Sequence, residues 1–134
     1  MTDRTPVSST DAPPPGGAYS QAIRSGNLLF LSGQAGFDSS GARLGETVAE
    51  QTRQALENLD AVARAAGGSL QDAVRVGVYL SDLGSFAEMN EVYRVFFAEP
   101  YPARTTIQSD FLAFDVEIDA VVALGPDAAP PPHS

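Results

Sequence analysis

Apolar residues in the middle of the chain return every three to four positions. Val48, Thr52, Ala55, Leu56, Leu59, Val62 and Ala66 share one helical face. Thr47 and Glu50 ahead of them have the T-x-x-E spacing of a capping box. Gly67-Gly68 follows, and glycine ends helices because it enters the left-handed region without a Cβ penalty. The spacing predicts a helix from about Val48 to Ala66. In the next stretch, "AVRVGVYLSD", the period changes to two. Val74, Val76, Val78 and Leu80 face one way and Arg75, Gly77 and Tyr79 the other, which predicts a strand. A second S-x-x-E pair, Ser85 and Glu88, opens another helical pattern whose stripe is Phe86, Met89, Tyr93 and Phe96 or Phe97. Pro100 and Pro102 lie beyond its end.

Four further strands complete the pattern. "AYSQAI" and "NLLFLSGQ" flank "RSGN", a tight-turn tetrapeptide, and so predict a hairpin. The near-continuous apolar run "LLFLSG" predicts a strand covered on both faces. "YPARTTIQ" reads as a strand headed by Arg104. In "FDVEIDAVVAL", Val116, Ile118, Ala120, Val122 and Leu124 share one face. Asp115, Glu117 and Asp119 take the other, continued by Val121 and Ala123. The order β-β-α-β-α-β-β implies an α+β layer, a mixed β-sheet with two helices packed on one face. Two helices cover one face only. The other is expected to bear Arg104, Glu117 and Tyr79 among apolar residues, a mixed surface that another subunit normally covers, most economically in a closed ring. Residues 1–16 and 125–134 are rich in Pro, Ser, Thr, Ala and Gly without apolar period and read as flexible tails around a domain spanning 17–124.

Composition narrows the chemistry. The 134 residues suit one domain, and 43% hydrophobic with 19% charged content is that of an ordinary globular chain. Absence of cysteine removes disulfides, thiolate nucleophiles and cysteine metal sites. The one histidine, His133, sits in the Pro-rich end and is expected to be solvated, which sets aside Ser-His-Asp and histidine-zinc chemistry. A net charge of −9, with all eight bases arginine, repels phosphate backbones and argues against nucleic acid and anionic membranes as partners. No run approaches the ~18 apolar residues of a membrane span, and no basic-then-apolar leader opens the chain, so a cytoplasmic location is expected.

Carboxylates, hydroxyls, tyrosines and arginine remain. Arg104 has one acid, Glu99, within five positions, so its acceptor is either a distant carboxylate such as Glu117 or a ligand carboxylate or phosphate. Glu117 lies between Val116 and Ile118; it is an exposed acid on a wet face, or a proton-transfer group raised by burial. Ser32-Gly33-Gln34 ends a strand where glycine allows close backbone approach, as a bulge or to orient a ligand. Tyr19 reads as a core aromatic with its hydroxyl at a rim. Asn90, with Tyr93 on the second helix, is placed to bridge backbone or to touch a ligand. No phosphate loop, dinucleotide fingerprint or calcium loop is present.

The series "YSQAI", "GNLLFLSGQ", "QTRQALENL", "AAGGSLQDAVRVGVYLSDLGSFAEMNEVYRVFF", "PYPARTTI" and "VEIDAVV" strongly resembles, in order and spacing from about Ala18 to Ala123, the RidA/YjgF family of reactive intermediate deaminases. The resemblance implies a chorismate-mutase-like fold, assembled as a homotrimeric barrel with ligand sites between subunits. It also implies hydrolysis, without cofactor or metal, of 2-imino acids or their enamine tautomers to 2-keto acids and ammonia. The family's arginine of Pro-Ala-Arg falls on Arg104, its last-strand glutamate on Glu117, its tyrosine of Tyr-x-Gln on Tyr19 and its serine of Ser-Gly-Gln on Ser32. These four are the implied catalytic residues, with Arg104, Asn90, Thr106 and Gly33 as substrate-binding positions. Thr106 stands where many members carry cysteine, "SDFLAFD" lacks the usual Leu-Pro, and Gly17-Ala18 replaces a common Gly-Pro. The loop change bears on substrate range more than on the reaction. Alternatives on the same scaffold are a non-catalytic sensor of small keto or imino acids and a hydrolase of carbamate-like intermediates. An RNA-cleaving activity is disfavoured by charge.

Overall fold

A computed structural model of the chain describes residues 2–111 and 113–125. Six strands form one mixed sheet: β1 (Thr5–Val7), β2 (Ala22–Ser25), β3 (Leu28–Gln34), β4 (Ala73–Leu80), β5 (Ala103–Gln108) and β6 (Val116–Ala123). The spatial order is β1-β2-β3-β6-β4-β5. Helix α1 (Val48–Ala65) carries the chain from β3 across β6 to β4, and α2 (Phe86–Phe96) joins the one parallel pair, β4 and β5. Such a pair needs a crossover, which a hairpin cannot supply. Leu29 and Leu31, Val76, Val78 and Leu80, and Val116, Ile118 and Val122 form one core with Leu56, Leu59 and Val62 of α1 and Met89 and Tyr93 of α2. The expected mixed sheet with both helices on one face is what forms. No helix among the described residues is long and apolar enough to cross a membrane.

Local signals at α1 act as written in the sequence. Thr47 Oγ1 accepts from Glu50 N at 3.1 Å, and Glu50 Oε1 accepts from Thr47 N at 3.1 Å. At the far end Gly67 takes φ +82°, and Gly68 N donates to Ala63 O at 3.0 Å. The matching pair at α2 is not a capping box. A 3-10 turn, Leu83–Ser85, runs directly into the helix, so Ser85 has φ −90°, ψ 7° and its hydroxyl caps nothing. Glu88 instead accepts from Ala49 N at 3.0 Å and serves the start of α1.

Four other expectations are corrected. The first sixteen residues are not a tail: β1 pairs antiparallel with β2, and Val7 and Ala12 are buried. Gln21 holds the segment after β1, accepting from Ser9 N at 2.6 Å and donating to Ser9 O, Ala12 O and Pro13 O at 3.2, 3.4 and 2.7 Å. Val74 is not on the core face. The β4–β6 ladder steps from Ala73–Val122 to Arg75–Val121, leaving Val74 as the bulged extra residue, 47% exposed. β3 is covered on one face only within this chain, since Phe30 between Leu29 and Leu31 is 46% exposed. Asp115, ahead of β6, does not join the row of Glu117 and Asp119; it accepts from Gln51 Nε2 and Ser81 Oγ at 3.1 and 3.0 Å. Of the expected C-terminal tail, residues 126–134, including His133, lie outside the described residues.

The register also decides which face each candidate occupies. Tyr79 pairs with Glu117 and with Ile107, and Gly77 with Asp119 and Thr105, so these residues share the helix-free face. Arg104 pairs with Val76, a core residue. Arg104 therefore stands on the helix face, not beside Glu117 as expected. The expectation failed because β5 carries its large apolar residue, Ile107, outward.

Candidate functional site

β5 is an edge strand, so a side chain on its helix face lies at the margin between sheet and α2 rather than in the core. Arg104 Nη1 donates to Asn90 Oδ1 at 2.8 Å. Its guanidinium carbon lies 4.5 Å from the ring centre of Tyr93 and 5.3 Å from that of Phe86. Phe86, Asn90 and Tyr93 are spaced to meet on one helix face. Two aromatic faces and one amide fix the fork, and among the described residues no carboxylate pairs with it. Neither reading in which Glu117 neutralises Arg104 nor one in which Asn90 bridges backbone describes this arrangement. The remaining donors face a cleft of about 400 Å³ lined by Asn90, Tyr93, Arg94, Tyr101, Pro102 and Arg104. An unneutralised guanidinium in such a cleft suits a planar anion held by two parallel hydrogen bonds.

Behind the arginine the site is closed off from the surface. Tyr93 is 4% exposed, and among the described residues its hydroxyl and Thr106 Oγ1 are buried without a hydrogen-bond partner. Burial pushes the Tyr93 phenol up, with the Arg104 charge opposing, and it remains neutral. Thr106 is two residues beyond Arg104 on the same face.

A second group of candidates gathers around β3 and β6. The Glu117 carboxyl group lies against the backbone of Gly33: a Cβ there would come within 2.8 Å of Glu117 Cδ. That close approach requires glycine, and it falls where the β3–β6 register shifts between Leu31 and Gln34. Ser32 ties this bulge to the preceding segment, donating through Oγ to Ser20 O at 2.7 Å and through N to Gln21 O at 2.9 Å. Tyr19, two residues before Gln21, is not a core aromatic; it is 53% exposed, and its hydroxyl accepts from Gly16 N at 3.2 Å. Glu117 is half-buried. Desolvation first, and the Asp119 charge second, push its carboxyl group above the usual glutamate range. Among the described residues no donor hydrogen-bonds to it. An unengaged, raised carboxylate is suited to taking up and returning a proton.

Within one chain the two groups do not meet. Arg104, Asn90 and Thr106 belong to the helix face at β5, whereas Glu117 and Gly33, with Ser32 next to Gly33, belong to the β3–β6 side, with β4 between, and Tyr19 has its contacts with Gly16 and Gly17. Phe86, read in the sequence only as part of the apolar stripe, stands one helical turn before Asn90, and that spacing was the available signal. The role of Gln21, the glutamine of the Tyr-x-Gln segment, left no signal, because its four side-chain hydrogen bonds are all to backbone groups of another segment.

Comparisons with known proteins agree on one group of relatives. The family model described as Endoribonuclease L-PSP matches residues 9–124. The RutC family protein y4sK of Sinorhizobium fredii is 48% identical over 122 residues, covering 89% of this chain and 97% of that protein. The mouse protein named 2-iminobutanoate/2-iminopropanoate deaminase is 38% identical over 126 residues, 92% of this chain and 93% of its own. Among solved structures, RidA from the Antarctic bacterium Psychrobacter sp. PAMC 21119 superposes with a TM-score of 0.85 at 41% identity, covering 90% of this chain and all of that one.

Proposed function

The chain belongs to the L-PSP (YjgF/RidA) family, and from that premise we propose that it hydrolyses small 2-imino acids, or their enamine tautomers, to 2-keto acids and ammonia. The site is shared between neighbouring subunits of a homotrimer: the Arg104 group of one meets the Glu117 group of the next. The observation that carries this reading is the guanidinium of Arg104, fixed by Asn90, Tyr93 and Phe86 yet paired with no acid.

The reaction follows from what those groups can do. Arg104 holds the substrate carboxylate and so orients the adjacent C=N carbon. Glu117, as carboxylate, takes a proton from water while the water oxygen bonds to that carbon, giving a tetrahedral carbinolamine. Glu117 passes that proton to the nitrogen and then carries the carbinolamine's hydroxyl proton to the same nitrogen, so that the C–N bond breaks, ammonia departs and the carbonyl forms. One water is consumed and one ammonia released, with no change of oxidation state and no call on a cofactor. Gly33 gives the reacting carbon access to backbone, Tyr19 and Ser32 shape the water side, and Thr106 borders the carboxylate side. A hydroxyl at position 106 offers no thiolate, so proton transfer falls to Glu117.

A non-catalytic sensor of keto acids needs only the Arg104 cleft, and the separation of Arg104 from Glu117 within one chain favours it as second reading. RNA cleavage, suggested by the family's description, would have to work against a net charge of −9. The test is ammonia and keto-acid release from 2-iminobutanoate generated in situ. Acceleration by the native protein and its loss in Arg104→Ala, with the oligomer intact, are expected. The loss should be on the order of 3 kcal/mol of transition-state binding, or ~10²-fold. Near-native rates in that variant would refute the site, and keto-acid binding without turnover would leave the sensor.

A further inference from the structure

We propose that Asp119, pinned between the Gly77 amide and the Tyr79 hydroxyl, is a positioning residue that governs when Glu117 gives up its proton. The inference rests on Glu117 as the proton-transfer group of the proposed reaction.

Asp119 is two residues beyond Glu117 on the same face of β6, so the two carboxyl groups stand side by side on the helix-free face, roughly 7 Å apart along the strand. Here one member is tied down. Asp119 Oδ1 accepts from Gly77 N at 3.1 Å, and Oδ2 accepts from Tyr79 Oη at 2.9 Å. Both oxygens are thus held by donors on β4. The arrangement depends on a missing side chain: a Cβ at Gly77 would come within 2.5 Å of Asp119 Oδ1 and 3.0 Å of the Tyr79 hydroxyl. Two glycines, Gly33 under Glu117 and Gly77 under Asp119, make room for two carboxylates on adjoining ladders.

Tyr79 has a second part in this. It pairs directly across the ladder from Glu117. Its bond to Asp119 is the main cause that pushes its own phenol up, so it stays a neutral donor. Around Glu117 the ionisable groups are few. β6 brings Asp119 and β4 brings Tyr79 and, farther along, Arg75, whose Nη1 is turned to Val76 O at 3.3 Å. β3, Leu28–Gln34, has no ionisable side chain. On β5 the residues of this face are Ala103, Thr105 and Ile107, and Arg104 is on the other side. Within one chain, Asp119 is the fixed charge that acts on Glu117.

The test reads Glu117 directly. In the full-length protein labelled with ¹³C at glutamate, the side-chain carboxyl resonance of Glu117, assigned by its absence in Glu117→Gln, is titrated in the native protein and in Asp119→Asn. The asparagine keeps an acceptor for Gly77 N and a polar group for Tyr79 while removing the charge. The Glu117 midpoint is expected to fall by roughly half a unit or more, and the acid limb of kcat/KM should move to lower pH with it. Asp119→Ser, smaller and also neutral, serves if the asparagine variant melts early. An unchanged midpoint in either folded variant overturns the inference. A midpoint that falls in a protein without imine turnover would uphold it while removing the deaminase reading.

Discussion

Arg104 is held without being neutralised, and the residues that hold it are the ones a helix can align. Phe86, Asn90 and Tyr93 meet on one face of α2, so their alignment was legible from spacing alone. Which side of the sheet Arg104 takes was not. Alternation says that Arg104 and Thr106 share a face, yet Ile107 is 46% exposed, so the usual inference from the apolar residue points the wrong way in this strand. Glu117 was legible as a carboxylate among apolar neighbours, but its unengaged state depends on Gly33 and Asp119, which only the register brings to it. Its pH consequence has a definite sign. In the proposed reaction Glu117 acts ionised, and burial and Asp119 favour the protonated form, so kcat/KM should fall as pH is lowered through a midpoint above the ordinary 4.5. Glu117→Gln should leave only background turnover, and with it no acid limb. A kcat/KM profile that stays level down to pH 4.5 would remove Glu117 as the base.

At the scale of elements, local signals held where one segment contained both partners and failed where it did not. The Thr47–Glu50 box closes within four residues, and α1 starts where its sequence says. Ser85 and Glu88 have the same spacing, but the preceding 3-10 turn turns the Ser85 hydroxyl from its target and Glu88 serves α1 instead. The N-terminal arm is the larger case. Its Pro-rich sequence has no apolar period to bury, and it is ordered by a strand pairing and by one distant amide, Gln21, that satisfies its backbone. Two alanine substitutions separate real capping from apparent capping. Thr47→Ala should cost about 1 kcal/mol in urea unfolding, whereas Ser85→Ala should stay within about 0.5 kcal/mol of the native protein. Equal losses would mean that Ser85 caps α2 after all.

For the whole molecule, the question is what the helix-free face and the edge strand β5 are for. Phe30, Ile107, Val121 and Thr105 share that face with Glu117, Asp119 and Tyr79, and an apolar surface with half-buried acids on it is unfinished in a single chain. The two groups of site residues are unfinished in the same sense, since β4 and the thickness of the sheet keep Arg104 from Glu117. Association of copies in a ring resolves both at once: it covers the face, and it can set the Arg104 edge of one subunit against the Gly33–Glu117 side of the next. The arrangement makes a prediction that no single-chain site shares. Arg104→Ala and Glu117→Gln should each be inactive as pure oligomers. When the two are unfolded together, mixed and refolded, a subunit with native Arg104 will sometimes adjoin one with native Glu117, rebuilding a native site between them. For random mixing of equal amounts in a closed ring, each interface pairs the two native halves with probability about one quarter, so about a quarter of native turnover should return. Recovery should track the fraction of mixed oligomers resolved by native mass spectrometry. If the mixture stays as inactive as its components although mixed oligomers have formed, Arg104 and Glu117 must act from the same chain.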